Sequence, residues 1–166
     1  NFYAIIDPQQ NFSGIQDFTA SQIIQYSQKV REQINKRYPN KFIHPEDSSI
    51  KNVTHLLWSG TPIHEGSDGR NAVFYGDKAI DRSPCGTGTS ARLAQLHAKG
   101  KLKKGVEFIH ESFIGSTFVG CIEEETTVGD FPAIIPSIKG WAKIYGYNTI
   151  IIDDKDDPYA HGFSVI

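Results

Sequence analysis

An α+β architecture, a curved sheet wrapped round one interior helix, is what this 166-residue sequence predicts. Three observations carry it. The segment after Ser90 has helix formers with apolar side chains on more than one side, strand-like segments fill nearly everything after residue 105, and a single amphipathic helix precedes both.

In chain order, residues 1–7 are rich in aromatic and β-branched types and are closed by Pro8, so they read as a strand. Asp17 or Thr19 can open a helix in which Ile23, Ile24, Tyr26, Val30 and Ile34 recur at steps of three and four, with Lys29, Arg31, Glu32, Lys36 and Arg37 on the other face. Such a helix covers the domain and ends at Pro39 and Asn40. A polar loop containing Pro45 leads into a strand at 53–58, which carries His55. Residues 60–70 hold Pro62, Gly66, Asp68 and Gly69, a surface loop able to close over a ligand. His64 and Glu65 there make no zinc motif, because no second histidine follows four residues on. A short strand at 71–75 and a turn at Gly76 and Asp77 deliver the chain to residue 81. Beyond the interior helix, strands are expected at 106–110, 116–125, 133–145 and 149–153, with glycines between or within them.

The most informative stretch is Asp81-Arg82-Ser83-Pro84-Cys85-Gly86-Thr87-Gly88-Thr89-Ser90-Ala91-Arg92, running into the apolar residues 93–102. Thr89 or Ser90 can cap the helix, and Gly100 stops it among Lys99, Lys101, Lys103 and Lys104, where the helix dipole favours positive charge. Pro84 biases Ser83 toward extended geometry, while Gly86 and Gly88 permit close approaches that a side chain would block. A thiol therefore stands beside a row of free backbone N–H groups at a helix N-terminus, which would stabilise both a docked carboxylate and the Cys85 thiolate. A lone cysteine among glycines is more commonly a small buried residue than a catalyst. The glycines are not followed by Gly-Lys-Ser/Thr, as a phosphate loop requires, and they do not form a dinucleotide fingerprint. Asp81 reads on its own as a turn residue, and Arg82 as the partner of a structural carboxylate.

Composition narrows the classes. With 39% hydrophobic and 22% charged residues the chain suits one globular domain, and a net charge of −2 argues against a nucleic-acid binder held by phosphate contacts. No apolar run reaches the ~18 residues of a membrane span. Two cysteines, Cys85 and Cys121, suggest a reducing compartment, with the cytoplasm as the expected location; Cys121 reads as filler in a strand. The acidic run at 153–157 lacks the order of a calcium loop and reads as a solvated turn. The chain starts at Asn1 and contains no methionine, so a piece of a longer protein is expected.

The string DRSPCGTGTSAR resembles the second-cysteine motif of the proline racemase family, which includes 4-hydroxyproline 2-epimerases and hydroxyproline dehydratases. The stretch from Gly69 to Ile80 and the run Gly115-Ser116-Thr117-Phe118 look like the hydroxyproline epimerase branch, and Tyr159, His161, Gly162 and Phe163 resemble the family's DPFxxGF ending with Tyr for Phe. The resemblance implies a diaminopimelate-epimerase-like lobe, a curved, mostly antiparallel sheet around a central helix. The family has two such lobes, each with one catalytic cysteine. The Cys-Gly-His motif of the first lobe is not found here, so the whole chain (1–166) would be the second, C-terminal lobe, with the first lobe of the same protein as its partner and room for a homodimer.

For the site, the resemblance implies that Cys85 is one of two acid/base thiols inverting C2 of trans-4-hydroxy-L-proline. The amides of Gly86 and Thr87 would hold the substrate carboxylate, Asp81 the ring nitrogen, and His55 would border the ring. No metal and no organic cofactor is expected, and this lobe alone should be inactive. Cysteine at the second position argues against dehydratases that carry Thr there, whereas racemisation of proline and dehydration with Ser at the first position stay open. Two readings of other classes are a carboxylate-binding module without catalysis and a cysteine hydrolase using His55.

Overall fold

The computed structural model describes residues 1–164. Seven strands, β1 (Phe2–Ile6), β2 (Val53–Gly60), β3 (Gly69–Tyr75), β4 (Ala79–Ile80), β5 (Phe108–Glu111), β6 (Thr117–Val128) and β7 (Phe131–Lys139), form one sheet in the order β1-β2-β3-β5-β6-β7, with β4 paired to β3. The helices are α1 (Ala20–Arg37) and α2 (Gly86–Ala98), with a 3-10 turn at Ile15–Asp17.

Four of the six pairings are antiparallel. The parallel pairs, β1 with β2 and β3 with β5, are those whose connections contain a helix, as parallel neighbours require. Because β3 runs antiparallel to β2, the right-handed rule for such crossovers puts the two helices on opposite faces of the sheet. Packing agrees. Ile23, Ile24, Val30 and Ile34 of α1 meet Val53, Leu56, Trp58, Ala72 and Phe74 on one face. Leu93 and Leu96 of α2 meet Phe108, Ile122, Ile134 and Ile138 on the other. Gly120 on β6 lets α2 approach closely, since a Cβ there would lie 2.9 Å from a methyl of Leu93.

Local signals account for the ends of α1. Thr19 accepts from the Gln22 amide while the Gln22 side chain accepts from the Thr19 N–H, a reciprocal capping box. Asn35 holds both the N–H and the C=O of Val53 at 2.9 Å, and Ser27 accepts from the Trp58 indole at 2.8 Å. These bonds fix the register of α1 on β2.

Four expectations are corrected. α2 starts at Gly86, not after Thr89 or Ser90, with Cys85 itself as the N-cap. β7 ends at Lys139, and residues 149–153 form no strand: Ile150, Ile151 and Ile152 are 83%, 85% and 64% exposed. β propensity alone makes no strand where no neighbouring edge offers hydrogen bonds. Residues 140–164 contain neither helix nor strand. Arg82 is exposed and takes part in none of the ion pairs among the described residues. The acidic run does form a turn, in which Asp153 accepts from the Lys155 N–H.

No helix among the described residues is long and apolar enough to cross a membrane.

Candidate active site

Cys85 occupies an unusual backbone position. Its φ of 64° and ψ of 120° lie in a region that side-chain-bearing residues seldom enter, at a cost of order 1–3 kcal/mol. In this conformation the sulfur turns back over the first turn of α2 and accepts from the Gly88 N–H at 3.3 Å. Gly88 must be glycine for that closure, because a Cβ would stand 2.8 Å from a methyl of Val73 in β3. The N–H groups of Gly86 and Thr87 find no acceptor among the described residues. They are the unpaired donors that every helix N-terminus leaves, here adjacent to a half-exposed thiol.

The approach to Cys85 is a relay of short bonds. Asp81 accepts from both the N–H and the hydroxyl of Ser83 at 2.9 Å, and the Ser83 hydroxyl accepts from the Cys85 N–H at 3.0 Å. Ser116 donates to the Arg82 carbonyl at 3.0 Å from the β5–β6 turn. The turn role of Asp81 read from the sequence is thus observed.

Below the site lies a buried polar cluster that sequence reasoning missed. Asn71 of β3 donates to the Pro84 carbonyl at 2.9 Å and to His110 Nε2 at 3.0 Å. Thr89 donates to the same carbonyl at 3.2 Å and lies 3.0 Å from His110 Nδ1. The pattern closes when His110 is neutral with its proton on Nδ1. Burial, then the Arg92 charge, pushes His110 down to about 3, which keeps it neutral. Asn71 Oδ1 is the one member without a partner. A histidine, an asparagine and a threonine scattered over 39 positions offer no spacing signal that would unite them.

A second missed residue connects two expected ones. β1 pairs with β2 so that Tyr3 stands opposite His55, with ring centroids 4.9 Å apart. The Tyr3 hydroxyl lies 2.7 Å from Thr87 Oγ1 and 3.6 Å from Cys85 Sγ. His55 itself bonds Thr54 through Nδ1 at 2.8 Å, and burial lowers its proton affinity. Cys85, Gly86, Thr87 and Asp81 therefore form one group, and His55 joins it through Tyr3. No imidazole hydrogen-bonds Cys85 among the described residues, which removes the geometric basis of the hydrolase reading.

α2 is held to the end of β1 by Asp7, which meets Arg92 at 2.5 Å and Lys99 at 3.2 Å. Burial would raise the Asp7 carboxyl, but hydrogen bonds from Arg92 and Ser59 and the Arg92 charge prevail and hold it down to about 2. The 60–70 loop is tethered as well: buried Glu111 accepts from the Ile63 and His64 amides at 3.0 and 3.1 Å, and Asp68 accepts from the Ile109 N–H at 2.7 Å. These bonds pin it near both ends. Among the described residues no three His, Cys, Asp or Glu side chains cluster as metal ligands would.

Comparison with known proteins bears on this geometry. A family model described as proline racemase matches residues 1–164. The chain belongs to the proline racemase family. Relatives within the family include a 4-hydroxyproline epimerase of Brucella ovis, 60% identical over 99% of this chain and 49% of its own length. Another is a 4-hydroxyproline 2-epimerase of Spirosoma linguale, 58% identical over 100% of this chain and 49% of its own. A crystal structure of a hydroxyproline epimerase from Agrobacterium vitis, with trans-4-hydroxy-L-proline bound, superposes with a TM-score of 0.72 at 30% identity, covering 98% of this chain and 46% of that one. A probable proline racemase from Agrobacterium radiobacter, with bound carbonate, gives the same score at 33% identity over the same shares. The chain thus spans about half the length of the curated family members it matches.

Proposed function

We propose that this chain is the second lobe of a two-lobe 4-hydroxyproline 2-epimerase and supplies one of its two acid/base thiols. The carrying observation is Cys85 as the N-cap of α2, half-exposed, with the unpaired amides of Gly86 and Thr87 beside its sulfur. Inversion at C2 requires a proton to leave one face and another to arrive on the opposite face, so two opposed groups suit it better than one. Cys85 serves one face, as thiolate base in one direction and thiol acid in the other. The Gly86 and Thr87 amides hold the substrate carboxylate, where negative charge grows as the C–H bond breaks, and the α2 dipole adds to their effect. Asp81, with one carboxylate oxygen engaged by Ser83, offers the other to the ring ammonium, and His55 borders the ring behind Tyr3. These steps call on no metal or organic cofactor, and free thiols suit a cytoplasmic location.

The exposed apolar residues of the last segment, Trp141, Tyr145, Tyr147 and Ile150 to Ile152 among them, support the two-lobe reading: that much apolar surface calls for a partner surface. The chain alone is expected to be inactive. The test is polarimetry of the full-length protein with trans-4-hydroxy-L-proline. Rotation should drift to that of the mixed C2 epimers, with one solvent deuterium entering C2 in deuterium oxide. A folded, full-length protein that leaves the rotation unchanged would reject the proposal in favour of a carboxylate-binding module. Proline in place of hydroxyproline, and assay for a dehydrated product, separate the remaining family activities.

A further inference from the structure

An acid/base thiol must be comfortable both with and without its proton. The Gly88 N–H can only donate, so by itself it favours the thiolate. The other two neighbours of the sulfur are hydroxyls: Thr87 Oγ1 at 3.5 Å and Tyr3 Oη at 3.6 Å, with 2.7 Å between the two oxygens. One of their two hydrogens lies between the oxygens, and the second is free to point at sulfur. We propose that Tyr3 is a positioning residue for Cys85, its hydroxyl forming with that of Thr87 a reversible pair that donates one hydrogen to the thiolate and accepts one from the thiol. No covalent bond changes within the pair; only O–H directions turn over as the sulfur gains or loses its proton.

The rest of the molecule fits this role. Burial, the largest influence on Tyr3, pushes its phenol far above the usual range, so it remains a donor throughout the working range of a thiol. Its ring is placed by the pairing of β1 with β2 and by contact with His55. The other charged or titratable groups around the sulfur come from separate elements: His55 on β2 behind the tyrosine ring, Asp81 in the preceding loop, neutral His110 of β5 beneath the first turn of α2, and Arg92 farther along α2, engaged by Asp7. None of them hydrogen-bonds the sulfur among the described residues, which leaves the hydroxyl pair as its adjustable contact.

The inference rests on the acid/base role proposed above, and its test is read on the thiol itself. In the full-length protein, iodoacetamide labelling of Cys85 is followed by peptide mass spectrometry across pH for wild type, Tyr3→Phe, Thr87→Val and Thr87→Ser. Loss of a hydrogen bond to a charged group is expected to move the half-reaction pH of Tyr3→Phe and Thr87→Val up by about one unit, roughly tenfold slower labelling below the midpoint. Thr87→Ser, which keeps the hydroxyl, is expected to follow wild type. A purely structural tyrosine would lower the melting temperature without moving the midpoint. Profiles of Tyr3→Phe and Thr87→Val superimposed on wild type would overturn the inference, and if Tyr3→Phe does not fold, Thr87→Val against Thr87→Ser decides it. A shifted midpoint in a protein that never epimerises hydroxyproline would sink the proposed function while upholding the hydroxyl pair.

Discussion

The two sides of the α2 N-terminus are built oppositely. Below it, Asn71, Thr89 and His110 are fully buried and close on the Pro84 carbonyl, leaving one orphan atom. Above it, the amides of Gly86 and Thr87 are unpaired and the sulfur is half-exposed. The contrast teaches how a site is preorganised: hydrogen bonds spent underneath hold a strained backbone in place, so the donors on top can face a ligand without rearranging.

That division can be tested, beginning with its largest expected effect. Cys85→Ala in the full-length protein should lower the epimerisation rate by about a thousandfold or more, with the fold retained; polarimetry with circular dichroism checks both. Next, Asn71→Ala removes the donor to His110 Nε2 and strands that acceptor in the interior, while the Pro84 carbonyl keeps only Thr89. Urea unfolding should show a loss of roughly 2–3 kcal/mol.

Gly88 and Gly86 sharpen the comparison, being two positions apart on opposite sides of it. Gly88→Ala drives a Cβ to 2.8 Å from Val73 and should cost about 2 kcal/mol, whereas at Gly86 a Cβ meets nothing within 4 Å, so Gly86→Ala should change stability by less than about 0.5 kcal/mol. A loss for Gly86→Ala as large as for Gly88→Ala would erase the distinction.

The underside also has a pH signature. His110 is held neutral down to about 3 in the fold, against 6.5 for the ordinary group. Between these values the unfolded chain binds the proton and the folded one does not. Stability should therefore fall as pH drops through that window, by at most about 1.4 kcal/mol per unit, with no slope from this group above it. Proton NMR of the His110 ring, unshifted between pH 6.5 and 4, is the direct check.

Legibility in the sequence followed the range of the interactions. Thr19 with Gln22, the three-and-four spacing of α1 and the stop at Gly100 are local, and all correspond to observed features. Asp81 as a turn residue is local too. Thr89 and Ser90 are good caps by type and so point to a late start for α2, whereas the actual cap is a cysteine at positive φ, a conformation that residue type does not advertise. Tyr3 was unreadable for another reason: it reaches Thr87 across 84 positions, through a parallel pairing that exists only once α1 has crossed over. Residues 149–153 have strand chemistry, but no strand edge among the described residues pairs with them.

The pairing of β1 with β2 shifts register between Phe2 and Tyr3. Side chains alternate across a strand, so sliding β1 by a single position would invert its two sides and present Phe2 or Ala4 to the sulfur in place of a phenol. The register that runs unbroken from Tyr3 to Ile6 thus decides what chemistry surrounds a residue more than eighty positions downstream. Single-residue insertions or deletions in β1 should consequently raise the half-reaction pH of Cys85 labelling at least as far as Tyr3→Phe does, even where every residue around Cys85 is untouched.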